Sequence, residues 1–312
     1  MIHVIGAGSA GASLAYFLKD EFNVKIYEMK SDLGLKPCAW GVPKEIEEYI
    51  KIPKRVILNN IYKYKIYLDG ELLVERSSKS PLGYIIDKRE FLKWLLEGVD
   101  VEFSKYIRFR NRKPILNVRS DDIVVIATGY LFHRDRTWRI LTVQYTLSDI
   151  NIDSTVMEMW FSSDIVGYLW IFPKGKKEAK VGICGFLTYF ELISRLNEFI
   201  KDHPQLKTGV IKKRETSYIY VGGINEELYN LDYYVIGEAL GTVFPITGEG
   251  IRPSVISAYA LARALKHATS FREEFEKTQI PQQISLQKQA VEILLKSDPN
   301  RRRSLLKILF SD

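Results

Sequence analysis

The chain holds only two cysteines, Cys38 and Cys184, among 312 residues. That is too few for the disulfide framework of a secreted domain and agrees with a reducing cytoplasm, the expected location. The four histidines stand at no metal-ligand spacing, so no metal site is expected. Long apolar runs are also missing: stretches such as Ile123 to Ala127 fall far short of the roughly 20 residues that span a bilayer. No secretory leader is expected before the first strand, and there is neither an internal repeat nor a low-complexity tract. Ordered structure is expected from Ile2 onward.

The composition present is that of a globular enzyme, 46% apolar and able to bury one large core or two joined ones. A formal charge of +7 suits nucleic acid, an anionic membrane or a phosphorylated substrate. Basic residues concentrate at Lys174 to Lys180, Lys212 to Arg214 and Arg301 to Arg303. No stacking-aromatic pattern or helix-turn-helix accompanies them, so no nucleic-acid partner is expected.

Ile2 to Ile5 reads as an apolar strand, Ser9 to Lys19 as a helix and Val24 to Tyr27 as a second strand, half of a βαβ nucleotide unit. Tyr62 to Leu68 alternates up to the turn signal Asp69-Gly70, and Leu72 to Glu75 returns as the second arm of a hairpin. Asp87 to Glu97 is an amphipathic helix. Ile123 to Ile126 is wholly apolar and ends in Ala127-Thr128-Gly129, as a buried parallel strand of the first sheet does. Between Ile140 and Tyr220, the runs Thr142 to Leu147, Val156 to Phe161, Tyr168 to Phe172 and Lys180 to Phe186 predict an antiparallel sheet, interrupted by a helix over Tyr189 to Ile200. Tyr233 to Ile236 is again a buried strand, a long helix covers Gly250 to Lys266, and Phe271 to Phe310 is helical with Pro281 and Pro299 as breaks. The expected fold class is α/β: a Rossmann-type nucleotide-binding domain, an inserted antiparallel β-sheet substrate domain and a helical C-terminus. Its boundaries fall at 1–135 with 230–268, at 136–229 and at 269–312, the hairpin of 60–80 contributing to the substrate side.

Gly6-Ala7-Gly8-Ser9-Ala10-Gly11 lies between the first strand and the first helix, where small residues let the backbone approach a pyrophosphate at the helix N-terminus. Glu28 follows 17 residues beyond Gly11, with Met29 beside it, at the place where a carboxylate accepts hydrogen bonds from adenosine ribose hydroxyls. An ordinary glycine-rich turn is the bland alternative; the order strand, glycines, helix, strand and acid argues against it. An acid at position 28 disfavours a ribose 2′-phosphate, which leaves FAD or NAD.

The far end of the chain chooses between the two. Tyr234-Val235-Ile236-Gly237-Glu238-Ala239 precedes Pro245, Gly248-Glu249-Gly250-Ile251 and a helix carrying Ala258, Ala260, Ala262 and Ala264. This resembles the second flavin fingerprint of the glutathione-reductase-like and hydroxylase-like FAD enzymes. The resemblance implies FAD, with Gly237 and Glu238 at the ribityl chain and Gly248, Gly250 and Ile251 facing the flavin pyrimidine ring, whose reduced form a positive helix end stabilises. It departs from that pattern at Glu238, where aspartate is usual. Ala127, Thr128 and Gly129 are placed with the cofactor residues. Asp87-Lys88-Arg89-Glu90-Phe91 resembles the arginine those enzymes carry at a helix start near the cofactor, against the alternative of a solvated helix cap.

Tyr168-Leu169-Trp170-Ile171-Phe172-Pro173, then eight residues, then Gly182-Ile183-Cys184-Gly185, looks like the YxWxFP and GxG signature of the geranylgeranyl reductase family, archaeal enzymes that saturate membrane-lipid isoprenoid chains. Lys36-Pro37-Cys38-Ala39-Trp40-Gly41 resembles the cysteine loop those reductases place beside the flavin. Cys184 departs from the signature by standing where its second glycine is expected. Period two puts Tyr168, Trp170 and Phe172 on one face of a strand, lining either a sandwich core or an apolar tunnel; the resemblance implies the tunnel, with Trp40, Pro173, Gly182 and Pro245 completing the substrate set. It also implies Cys38 as a proton donor or redox relay, against the alternative of a small buried apolar residue.

The implied activity is FAD-dependent reduction of carbon–carbon double bonds in geranylgeranyl and related isoprenoid chains. The substrate is an isoprenoid lipid or a prenyl diphosphate, and an external electron donor, ferredoxin or NAD(P)H, is required. Two alternatives share the fold: an FAD-dependent aromatic hydroxylase, and a non-catalytic prenyl-binding protein. Against the hydroxylase, Tyr130-Leu131-Phe132-His133 occupies the place of its Asp-Gly segment. At the C-terminus, Arg301, Arg302, Arg303 and Lys307 accompany Leu305, Leu306, Ile308, Leu309 and Phe310, a pattern for peripheral membrane contact or for a helix docked on its own domain.

Overall fold

In a computed structural model of the protein, residues 1–310 are described. Ser311 and Asp312, the last residues of the expected C-terminal helical segment, lie outside the described residues. The strand Ile2–Ile5 is buried at all four positions, as a strand covered on both faces must be. Val24–Tyr27 and Ile123–Ile126 flank it, Asp100–Glu102 and Tyr234–Val235 form the edges, and every pair in this five-stranded sheet is parallel. Helix α1 (Ser9–Leu18) crosses between the first two strands and buries Ala10, Ala12 and Ala15. Helix α2 (Lys88–Leu95) starts at Asp87, whose carboxylate accepts the N–H groups of Arg89 and Glu90 and so caps the helix.

The middle of the chain forms a seven-stranded sheet in the order Val210–Tyr220, Arg139–Ser148, Glu178–Gly185, Gly167–Gly175, Val156–Phe161, Lys63–Leu68, Glu71–Ser77. All its pairs are antiparallel except one, where Val156–Phe161 runs parallel to Lys63–Leu68. At that junction the early hairpin joins strands that lie about a hundred residues later. Strand alternation gives the sheet two faces. One packs Val143, Leu147, Ile171, Val181 and Ile183 beneath helix α3 (Tyr189–Asp202), which opens with a Thr188–Glu191 capping box. The other carries Tyr168, Trp170 and Cys184 toward the nucleotide-binding half.

A small sheet of Gly41–Pro43, Gly83–Ile86 and Ile57–Ile61 bridges the two large ones. Helix α4 (Ile251–His267) packs against α1 and buries Ala258, Ala260, Ala262 and Ala264, small residues that allow close approach. Helices α5 (Phe271–Glu276), α6 (Ile280–Lys296) and α7 (Pro299–Phe310) complete the chain. Pro281 and Pro299 fall in the first turns of α6 and α7, where a missing N–H costs no helical bond. Helix α7 docks on the hairpin side of the large sheet: Leu306 is buried, and Phe310 lies 4.7 Å from Phe161 ring to ring. Arg303 pairs with Asp69 and Glu71, and Arg302 donates to the carbonyls of Leu294, Ser163 and Asp164. Among the described residues no helix is long and apolar enough to cross a membrane.

Candidate functional site

Between the parallel sheet and the open face of the seven-stranded sheet lies a cavity of about 1310 Å³. Its floor at one end is the turn after the first strand. Gly6 has φ +109°, and a Cβ there would stand 2.5 Å from the Ala127 carbonyl oxygen, so only glycine brings these two strand ends together. Gly8, Ser9 and Ala10 line the cavity, and a Cβ at Gly8 would meet no atom within 4 Å. Gly11 does not line it: a Cβ there would stand 2.0 Å from the Gly6 carbonyl oxygen, so this glycine closes α1 onto the loop. Glu28 Oε2 accepts the Ala7 N–H at 2.8 Å and Oε1 accepts the Lys30 N–H at 2.8 Å. The acid thus fixes the glycine loop while it faces the cavity, and Met29 stands exposed at the rim.

Ala127, Thr128 and Gly129 line the next stretch, and among the described residues Thr128 Oγ1 is buried with no hydrogen-bond partner. Glu238 stands opposite. One of its carboxylate oxygens accepts the Tyr220 N–H at 3.0 Å and the other pairs with Lys36, from the loop that carries Cys38. Its carbonyl oxygen lies 2.6 Å from His133 Nε2, and the His133 ring stacks on Tyr220 at 3.4 Å. Burial holds the His133 imidazole below its ordinary value, so the ring is neutral at pH 7 and Nε2 carries the donated hydrogen. Gly237 lies behind this group with φ +65°, where a Cβ would be 2.4 Å from Ala10 Cβ. Gly248, Gly250 and Ile251 bring the start of α4 to the cavity. Beside them burial raises the Glu249 carboxyl, against the Arg252 guanidinium that bonds it at 2.7 Å.

The other end is apolar. Tyr168, Trp170 and Phe172 form a row with ring centroids 5.8 and 6.4 Å apart, and Met157, Met159 and Cys184 extend the surface on neighbouring strands. Trp170 is paired with Gly182, where a Cβ would stand 2.3 Å from the indole. Gly182 therefore makes room for the ring and does not itself line the cavity. Tyr168 donates its hydroxyl to the Thr247 carbonyl, and the buried Trp170 Nε1 has no partner among the described residues. Burial pushes the Cys184 thiol up to about 12. Cys38 is half-buried on the opposite loop, beside Trp40, whose φ of +71° turns the chain into the cavity wall.

Besides Gly11, Gly182 and Gly237, three further residues singled out in the sequence fall outside this cavity. Arg89 is exposed and pairs with Asp32, 57 positions earlier, which lines the cavity where Arg89 does not. The Pro173 carbonyl accepts a hydrogen bond from Asn59 Nδ2, while Pro245 borders a separate void of about 30 Å³ on the far side of Cys184. Conversely, Lys36 and His133 belong to the site through contacts with Glu238 that no spacing in the sequence announces.

A glycine cradle at a helix start, a second helix start and an apolar wall sharing one cavity define a flavin-dependent oxidoreductase. Residues 139–218 match the geranylgeranyl reductase catalytic domain, and residues 4–37 match the NAD(P)-binding Rossmann-like domain. The chain is 27% identical over 308 residues to the digeranylgeranylglycerophospholipid reductase of Thermoplasma acidophilum, covering 85% of this chain and 77% of that one. A crystal structure of a geranylgeranyl bacteriochlorophyll reductase-like protein from Thermoplasma acidophilum superposes with a TM-score of 0.84 at 24% identity, over 97% of this chain and 89% of that one. CtdE in complex with FAD and a substrate shares the fold at a TM-score of 0.65 and 15% identity, over 95% and 88% of the two chains. Over residues 139–218 the chain is thus similar to the geranylgeranyl reductase family.

Proposed function

We propose that the protein is an FAD-dependent reductase that saturates carbon–carbon double bonds in geranylgeranyl or related isoprenoid chains of membrane-lipid precursors. The observation that carries the reading is the single cavity in which the Gly6–Glu28 nucleotide loop and the aromatic row of Tyr168, Trp170 and Phe172 meet. The residues suit FAD: the glycine cradle leaves space at Gly8, and Ala127, Thr128 and Gly129 line the same cavity beside it. Gly6, Gly8, Ser9 and Ala10 would hold the pyrophosphate, Glu28 and Met29 the adenosine, and Ala127 to Gly129 with Glu238 the ribityl chain. Gly248, Gly250 and Ile251 would meet the pyrimidine edge. Gly11 and Gly237 act behind them, by packing.

When bound, FAD supplies the hydride for the reduction. The protein's part is to hold the alkene and exclude water, which Trp40, Tyr168, Trp170 and Phe172 do with an apolar wall. Cys38 is the proton donor in this reading, because an isolated alkene needs a proton at the carbon beside the one that takes the hydride. Electrons reach the protein from an external donor, ferredoxin or NAD(P)H. The family match favours this reading over the hydroxylase and the non-catalytic prenyl-binding protein. Peripheral contact with a membrane is proposed through the outward side of α7, where Arg301, Lys307, Ile308 and Leu309 are exposed.

The deciding experiment is anaerobic. The flavin is reduced chemically, geranylgeranyl diphosphate or a geranylgeranylated glycerol ether is added, and flavin reoxidation is followed together with product mass. Reoxidation coupled to a product heavier by one H₂ supports the reductase. Flavin that stays reduced with every prenyl substrate, while oxygen and a phenol yield a product heavier by one oxygen atom, replaces it with the hydroxylase.

A further inference from the structure

The open face of the seven-stranded sheet carries one group of buried polar side chains that neither the nucleotide cradle nor the aromatic wall uses. Lys180 is 3% exposed and Gln144 is 3% exposed, and the Glu215 side chain between them is 9% exposed. Glu215 Oε2 accepts from Lys180 Nζ at 3.3 Å and from Gln144 Nε2 at 2.9 Å. Gln144 Nε2 donates a second time, to the Cys38 carbonyl oxygen at 3.2 Å. The Lys180 ammonium sits 4.0 Å above the Trp40 ring, and the Lys174 ammonium lies 5.4 Å from it.

Burying an ammonium and a carboxylate is costly, and well-packed apolar residues of similar size commonly serve a core at least as well. Glu215 Oε1 pairs with the exposed Lys213 at 2.6 Å, whereas both arms that leave Oε2 end on the same short loop, one on its backbone at Cys38 and one on its ring at Trp40. We infer that Gln144, Lys180 and Glu215 are positioning residues that clamp the Cys38–Trp40 loop against the substrate wall. The carboxylate orients the Gln144 amide so that one N–H is left for Cys38, and it anchors the ammonium over the Trp40 ring. A desolvated cation over an indole face is a strong, directional contact, and it holds Trp40 at a left-handed backbone conformation that a bulky residue seldom adopts alone. The loop is tied at its other end by Lys36 to Glu238, so it spans from the cofactor residues to the sheet.

The role this gives the clamp, fixing Cys38 over the cavity, rests on the proposed reductase reading; the clamp itself is testable without substrate. The protein supplies its own control, because Cys38 is on the loop and Cys184 is buried in the core. Flavin-loaded protein is treated with iodoacetamide and both thiols are followed by mass spectrometry. In Lys180→Met and in Gln144→Leu, Cys38 should alkylate about tenfold faster, as expected for loss of roughly one buried contact, while Cys184 keeps its wild-type rate. Lys180→Arg, which retains a cation over Trp40, should return Cys38 toward the wild-type rate. Unchanged Cys38 rates in both variants overturn the inference, and so does acceleration of both thiols in step, which would mean general loosening. A protein that clamps its loop yet leaves prenyl chains unreduced would refute the proposed function and leave the clamp standing.

Discussion

Trp170 and Gly182 face each other across paired strands so closely that the indole fills the volume in which a side chain at position 182 would begin. The glycine thus shapes the cavity wall from beneath. Gly182→Ala should push the ring out of its row and lower stability by about 1–3 kcal/mol, the usual cost of overpacking. Turnover of long prenyl substrates should drop while flavin absorbance is retained. Thermal melting and the visible spectrum check both halves, and a variant with unchanged melting and turnover would count against this account of the pair.

The glycines of the nucleotide loop divide by what surrounds them. Gly8→Val places its side chain in open cavity, so the protein should fold with near-normal melting of the flavin-free form and yet purify colourless. Gly11→Val would collide with the Gly6 carbonyl and should lower the yield of folded protein itself. Circular dichroism with flavin absorbance separates the two. Full flavin occupancy in Gly8→Val would refute the placement of the pyrophosphate.

Lys277 and Arg263 hold the Glu274 carboxyl down to about 2 from an ordinary 4.5. The unfolded chain takes up that proton near 4.5, so the stabilisation is complete above this value and is lost as pH falls toward 2. Glu274→Gln should therefore melt below the wild type at neutral pH, and the gap should close as the pH approaches 2. Melting curves across that range test it; a gap independent of pH would mean that the ion pairs contribute nothing.

Helix α7 sets a limit on membrane attachment, since Arg302 and Arg303 are taken up by contacts within the protein. Removing residues 300–312 would also strip Phe310 from Phe161, so truncation mixes docking with folding. The double substitution Ile308→Asp and Leu309→Asp acts on exposed positions. It should reduce sedimentation with anionic liposomes several-fold and leave melting nearly unchanged. Equal sedimentation of both forms would end the membrane proposal.

The nucleotide half was legible because its signals are local: a short, mostly apolar strand, a glycine turn, a helix of small residues and an acid follow one another within 28 positions. The strand Val210–Tyr220 lacks such a signal. It bears Lys212, Lys213, Arg214 and Glu215 because it is the edge of its sheet, where charge is tolerated and guards against further pairing. Ile57–Ile61 was equally obscure, since Asn59 and Asn60 are poor strand formers and the strand is kinked between Ile57 and Asn59. In the site, the fingerprints announced Glu238 and the Cys38 loop, but not the Lys36–Glu238 pair that joins them. Those partners are separated by 202 positions, and an ion pair at that distance leaves no periodicity to read.

The parallel pairing of Val156–Phe161 with Lys63–Leu68 bears on how the chain acquires its shape. A ribosome releases the hairpin long before the strand it must lie against exists, so the hairpin waits with one edge unfilled. The sheet closes only after Val156–Phe161 has emerged and found it, and that search across the chain is slow compared with making local turns. A fragment beginning after the hairpin would carry Val156–Phe161, with Met157, Met159 and Trp160, as an unguarded edge open to any neighbouring strand. The wall of the cavity, to which Tyr64, Met157 and Met159 contribute, is complete only when the two strands have met.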